Sequence, residues 1–183
     1  TAKENDNILW HYTTEKPADG WFRPDFDASG WKEGKAGFGT SGTPGAAVRT
    51  EWKKDNIWLR RELEMHADKI NELQLIIHHD EDSEVYINGV LAASLSGYTS
   101  DYEIVPVNNA AMKALKPGKN LIAVHCTQVK GGQYIDLGLA DAGLTPLRLE
   151  PPPHGLGQLP EQLVDDAIEA DVDAGLLGDA VHA

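Results

Sequence analysis

A single cysteine, Cys126, in a chain of 183 residues rules out an intramolecular disulfide, and its place in the apolar run 121–126 reads as that of a small buried thiol rather than a reactive one. No stretch approaches the roughly 20 apolar residues needed to cross a bilayer as a helix. The opening Thr1-Ala2-Lys3-Glu4 lacks the apolar core of a secretion signal. Basic residues are scarce: 16 Lys and Arg against 29 Asp and Glu leave a formal net charge of −13. Such a surface repels a nucleic-acid backbone or an anionic membrane at long range, so neither is expected as a partner, whereas a neutral sugar is not repelled. Helical periodicity is nearly missing too, which excludes a helical bundle. The glycine-rich segment 37–42 is not followed by the Gly-Lys-Ser/Thr ending of a phosphate loop. Neither a Gly-x-Ser-x-Gly elbow nor a cysteine-nucleophile motif is present. Carboxylate pairs abound by chance in so acidic a chain, but hydrolysis of a glycoside needs two of them at a set separation, so no independent catalysis is expected.

What is present points to strands. The apolar share of 41% is enough for one core, which suits a single domain with an appended segment. Residues 8–45 are rich in Trp, Gly, Pro and Asp, and read as one strand at Ile8-Leu9-Trp10 followed by long ordered loops. From Ile57 the period becomes two: Ile57, Leu59, Leu63 and Met65 share one face, with Arg61 the exception on it, and Trp58, Arg60, Glu62 and Glu64 share the other. Leu73, Leu75 and Ile77 repeat the alternation. Val85-Tyr86-Ile87, Asn88-Gly89 and Val90-Leu91 form a hairpin signal, because Asn-Gly supplies the positive φ angles of a type I′ turn. Pro106 marks the run 103–107 as an edge strand or a strand end. Residues 109–115 are Ala-rich and fit one helical turn. The turn 116–120 then launches the nearly continuous apolar run Leu121 to Cys126, expected to be buried on both faces. Residues 133–139 read as a further strand. The expected fold is all-β, a two-sheet antiparallel β-sandwich spanning residues 1–149. Pro151-Pro152-Pro153 marks a boundary, and residues 150–183 read as a proline-containing linker and an acidic, extended or helical tail. Pro160 and the acids after it stand where a helix would start.

Several of these segments resemble, in order, the N-terminal sugar-binding domain of family two glycoside hydrolases, the β-galactosidase type. They are Asp25-Phe26-Asp27-Ala28-Ser29-Gly30-Trp31, Gly37-Phe38-Gly39, Ile57-Trp58-Leu59-Arg60-Arg61, Glu84 to Val90, Gly97 to Glu103, and Leu115 to Val124 with its Lys116-Pro117-Gly118-Lys119-Asn120 turn. The resemblance covers about Trp10 to Leu139. It implies a galactose-binding-like jelly roll, an adjacent catalytic domain as partner, and a secreted or periplasmic setting. The implied function is that of a noncatalytic carbohydrate-binding accessory module, the alternative being a structural or interdomain-interaction domain with no sugar affinity of its own.

A sugar site combines a flat aromatic surface with hydrogen-bonding side chains, since a sugar ring has apolar C–H faces and a polar rim. Trp21, Trp31, Trp52, Tyr98 and Tyr134 lie beside glycine or charged residues, and Trp58 stands on an otherwise polar face, able to cover the sheet or meet a neighbouring domain. The densest polar segment, His78 to Glu84, lies between two strands expected to be adjacent. Glycines 131 and 132 precede Gln133, Tyr134 and Asp136 and either close over a saccharide or let the last strand enter its sheet. The carbohydrate-binding candidates are therefore Trp52, His79, Asp80, Glu81, Asp82, Tyr98, Gln133 and Tyr134. No cofactor is expected. A structural calcium on Asp80, Asp82 and Glu84 stays open, although the series lacks the glycine and terminal Glu of an EF-hand, and a zinc site would need His125 beside His78 or His79.

Overall fold

Period-two segments become strands here, and so do some segments too short to show a period. The computed structural model describes residues 1–66 and 70–143; the boundary expected after residue 149 and the expected tail lie outside the described residues. The elements are β1 (Leu9–Thr13), β2 (Lys32–Lys35), β3 (Phe38–Gly39), β4 (Thr50–Glu51), β5 (Asn56–Met65), β6 (Leu73–Asp80), β7 (Ser83–Ile87), β8 (Val90–Leu95), β9 (Glu103–Pro106), α1 (Asn109–Ala114), β10 (Gly118–Thr127) and β11 (Tyr134–Asp141). They form a six-stranded sheet, β2-β1-β5-β10-β7-β8, and a five-stranded sheet, β4-β3-β11-β6-β9. The expected sandwich is thus observed, with one difference: β3 and β4 run parallel, because the loop between them carries the chain back before it pairs. The short strands β2 and β3 lie where long loops were expected.

Between the sheets, Ile57, Leu59, Val85, Ile87, Ile122 and Val124 of one face meet Phe38, Leu75, Ile77, Ile135 and Leu137 of the other in a single buried cluster. Cys126 belongs to it, and burial pushes its thiol well above the ordinary range, so it packs as an apolar group. Strand β10 sits centrally between β5 and β7, in keeping with its nearly continuous apolar run. The β7–β8 hairpin turns on Asn88 and Gly89 at φ of 50° and 87°, the left-handed pair a type I′ turn needs. Pro106 ends the edge strand β9, where its missing N–H costs no ladder bond.

Two expectations about faces need correction. The alternation of β5 predicts burial on one side only, yet Trp58 and Arg60 are buried on the other side. The segment 20–31 folds over that face and builds a second small core of Trp21, Trp58 and Ala123, flanked by Phe22, Phe26, Trp31 and Tyr86. Phe22 stacks on Tyr86 at 4.4 Å, and Trp58 stacks on His125 at 4.7 Å. The Arg60 guanidinium holds this cover down by donating to the carbonyls of Trp21, Arg23 and Phe26. Replacing Arg60 with methionine keeps the stem but removes those charge-assisted bonds. The expected loss is on the order of 2–3 kcal/mol, with a red shift of tryptophan emission as Trp21 and Trp58 hydrate. Unchanged urea midpoint and emission would show that the cover is held by its aromatic packing alone.

The second correction concerns β6 and β7. They are consecutive but not paired: β6 lies in the five-stranded sheet between β11 and β9, and β7 lies in the other sheet beside β10. Residues 81–82 therefore cross between sheets. Glu81 N–H donates to Thr127 O at 2.9 Å, and Thr127 N–H donates to Asp82 O at 2.9 Å, so the crossing is tied to the end of β10.

Candidate functional site

The alternation that carries Leu75 and Ile77 into the core turns His78 and Asp80 to the outer face of the five-stranded sheet. Asp80 is the last residue of β6, flanked by Tyr134 of β11 on one side and by Tyr98, through an isolated antiparallel bridge, on the other. Directly opposed residues share a face, so Tyr134, Asp80 and Tyr98 form a row across the end of the sheet. The two tyrosines meet opposite fates. Tyr134 is fully buried, its hydroxyl accepting from Ala47 N–H at 3.2 Å and lying 3.1 Å from the Tyr102 hydroxyl. Tyr98 is 73% exposed.

Around this row the loops 43–45, 97–100 and 130–132 close a pocket of about 370 Å³, lined by Pro44, Asp80, Glu81, Tyr98, Thr99, Ser100, Lys130, Gly131 and Gly132. Each wall is fixed from behind. Thr43 donates to Gln133 O and accepts from Gln133 N–H, which ties the first loop to the start of β11. Thr99 N–H donates to His79 O, and the Thr99 hydroxyl accepts from His79 N–H. Gln128 donates through Nε2 to Gly132 O at 2.6 Å, holding the glycine loop. Gly132 is needed for proximity: a Cβ there would stand 2.5 Å from Oδ2 of Asp80.

Asp80 is only 7% exposed. Its carboxylate accepts no hydrogen bond from the described residues, and burial first, then the like charge of Glu81, raises its pKa from the ordinary value. Deeper along the same face lies a structural network. Asp136 accepts from Ala2 N–H at 2.6 Å and from the Tyr102 hydroxyl at 2.7 Å, and Nε2 of His78 lies 3.1 Å from Thr99 O. Burial lowers the pKa of His78, so it is neutral near pH 7 and donates through Nε2.

Of the candidates read from the sequence, the pocket brings together Asp80, Glu81 and Tyr98. The others are placed elsewhere. Trp52 is 1% exposed, packed in the main core with its indole N–H donating to Asn56 O, so it has no ring face to offer a ligand. Tyr134 is equally withdrawn, as the plug behind Asp80. His79 is buried, with Nδ1 donating to Glu81 O at 2.6 Å, and Gln133 is buried and donates to Lys54 O at 2.7 Å. Asp82 is exposed, lies in the crossing between the sheets and does not line the pocket; it accepts from Gly97 N–H at 2.7 Å. The oxygens of Asp80, Asp82 and Glu84 do not converge: among the described residues no three His, Cys, Asp or Glu side chains gather as metal ligands. His125 faces the second small core, away from His78 and His79. No local pattern marks Pro44, Thr99 or Ser100 as pocket residues; for Lys130 the signal in the sequence is a lone cation abutting Gly131 and Gly132.

A larger cleft, of about 600 Å³, opens on the other sheet where β1 parts from β5 beyond the His11–Arg60 pair. Leu9, Trp10, Phe26 and Glu33 line it, and Arg61, the exception in the alternation of β5, stands half-buried in its wall. Its deepest charge, on Arg60, is already bonded to the three carbonyls of the 20–31 cover.

No family model matches the chain. An alpha-L-rhamnosidase from Streptomyces avermitilis is 28% identical over 124 residues, a match that takes in 63% of this chain and 12% of the rhamnosidase. Among solved structures, a family 2 glycosyl hydrolase from Bacteroides cellulosilyticus superposes with a TM-score of 0.53 at 16% identity, over 74% of this chain and 20% of that one. Beta-glucuronidase 2 from Bacteroides uniformis superposes with a TM-score of 0.52 at 18% identity, over 73% and 17% of the respective chains. The chain thus spans about an eighth of the curated relative, and its sandwich has the fold of a portion of family 2 glycosyl hydrolases, in keeping with the resemblance of its motifs.

Proposed function

We propose that this chain is a noncatalytic carbohydrate-binding module of a larger glycoside hydrolase, secreted or periplasmic, with its sugar site at the end of β6. The fold likeness and the partial match to a rhamnosidase support the setting, since each covers a minor part of the longer protein. One observation carries the site: the Asp80 carboxylate is largely buried at the floor of a pocket, without a hydrogen-bond donor among the described residues, beside an exposed tyrosine ring. A mostly buried carboxylate without a hydrogen-bond donor costs folding free energy, and a ligand that brings hydroxyl donors lowers that cost. Tyr98 supplies the flat apolar surface for a sugar face, and Glu81, Ser100 and Lys130 supply a polar rim. At about 370 Å³ the pocket lies at the small end of ligand sites, which run from roughly 300 to 1,000 Å³.

A second reading, a bracing domain that contacts an adjacent catalytic domain, is favoured by the wider cleft between β1 and β5, beside which Leu9 is exposed. A glycan array probed with the full chain, followed by calorimetry on the hits, separates the two. The first reading expects a competable sugar whose affinity falls about threefold to tenfold in Tyr98→Ala, the worth of one ring stack, at unchanged melting temperature. Binding that survives in full in Tyr98→Ala would remove this pocket as the site, and an array without hits would leave the bracing role.

A further inference from the structure

Depth and charge in the pocket narrow the ligand class. Asp80 is 7% exposed at the floor and Tyr98 73% exposed at the rim, so the polar and the stacking elements sit at different levels. The floor is narrowed from three sides, by Gly132 against the carboxylate, by the Thr43–Pro44 turn and by Thr99. A ring linked to neighbours at both ends lies along a surface and is carried past such a floor by its own chain. A ring linked at one end can enter edge-on, place adjacent hydroxyls on the two carboxylate oxygens, and keep one face against Tyr98. The charges are layered as well. Half-buried Glu81 and exposed Lys130 also line the pocket. Of the three charged residues that line the pocket, Asp80 is the most buried.

Resting on the carbohydrate reading, we propose that this pocket takes the terminal ring of a neutral glycan, bound through adjacent hydroxyls on Asp80, and excludes uronates. A uronate carboxylate brought to the floor would meet the Asp80 carboxylate at close range as the ring displaces the water between them, where like charges repel more than in bulk water. Lys130 is too exposed to offset that repulsion from the rim.

The test is calorimetry on the full chain with methyl glycosides of galactose, glucose, mannose and rhamnose, with the matching methyl uronides, and with linear oligomers of whichever neutral sugar binds. Expected is an affinity per chain that stays within about threefold from the methyl glycoside to the longest oligomer, and a uronide at least about tenfold weaker than its neutral counterpart. In Asp80→Asn the neutral sugar should weaken and the uronide penalty should shrink to within about threefold. Affinity that climbs steadily with oligomer length would overturn end recognition, and a uronide that binds as well as the neutral sugar, or a penalty that persists in Asp80→Asn, would overturn exclusion by the floor charge. Absence of binding by every saccharide, array included, is a different result: it removes the carbohydrate reading itself, and this inference with it.

Discussion

Replacing Asn120 with alanine is expected to cost the fold about 3 kcal/mol, the largest loss expected from any single polar substitution in this domain. Asn120 is 1% exposed and its amide is saturated. Oδ1 accepts from Lys116 N–H at 3.0 Å and from Nδ2 of Asn88 at 2.7 Å, while Nδ2 donates to Lys116 O at 2.7 Å and to Gly118 O at 2.9 Å. Asn88 in turn donates to Ala114 O and accepts from Leu121 N–H, so the β7–β8 turn, the end of α1 and the start of β10 share one amide network. Removing the hub leaves the Lys116 N–H and two carbonyls to whatever water can reach them. Four net bonds at roughly 0.5–1.5 kcal/mol each bracket a loss of roughly 2–6 kcal/mol, and partial rescue by solvent around exposed Lys116 keeps it in the lower half of that range. Urea unfolding of Asn120→Ala, of Asn88→Gly, which retains the left-handed turn, and of the double variant should return a coupling of at least about 0.5 kcal/mol. Additive losses, or a loss below about 1 kcal/mol in Asn120→Ala, would mean that the two asparagines act separately.

That network explains why so much of the fold was legible. The Asn-Gly turn and the Lys-Pro-Gly-Lys-Asn segment are local devices: each states its geometry within a few residues, through φ preference, ring constraint and side-chain capping of backbone groups. The long alternating strands were legible for the same reason. What the sequence could not disclose was long-range. Strands β3 and β4 have two residues each, too few to show a period, and exist because β11 and the 40–49 loop place partners beside them. The polar side of β5 is covered by segment 20–31, which lies some thirty residues away in the chain, so no local pattern marks Trp58 and Arg60 as buried. Alternation says that β6 and β7 are strands but not that they belong to different sheets. Half of the site was hidden in the same way. Trp52 and Tyr98 both stand beside charged or glycine residues, and only the fold decides that one is core and the other rim. Asp80 and Glu81 stood out because they lie in the densest polar run, whereas Pro44, Thr99 and Lys130 join them only when separate loops meet.

The same carboxylate gives the other large expectation, one with opposite signs for folding and for binding. In Asp80→Asn the shape is kept and the charge removed. The folded-state pKa of Asp80 is raised above its ordinary 3.8, chiefly by burial, so the folded state holds the proton more tightly than the unfolded chain does. Stability from this group is therefore fully present below the unfolded value and is lost as pH rises through the folded one. At pH 7 the ionised carboxylate is a net cost, and Asp80→Asn should melt at a higher temperature than the parent chain; the gain should shrink as pH falls toward 4. Sugar binding should move the other way, since a charge-assisted hydrogen bond is worth roughly 1.5–3 kcal/mol and its loss weakens affinity about tenfold or more. A residue whose removal stabilises the fold while abolishing a function is retained for that function, and the pairing of the two signs distinguishes a ligand-facing carboxylate from a structural one. Thermal melts at pH 7 and pH 4, set beside calorimetry with the array's best sugar, measure both. A variant less stable than the parent at pH 7 would show that Asp80 has a stabilising partner within the protein, and would withdraw it from the site.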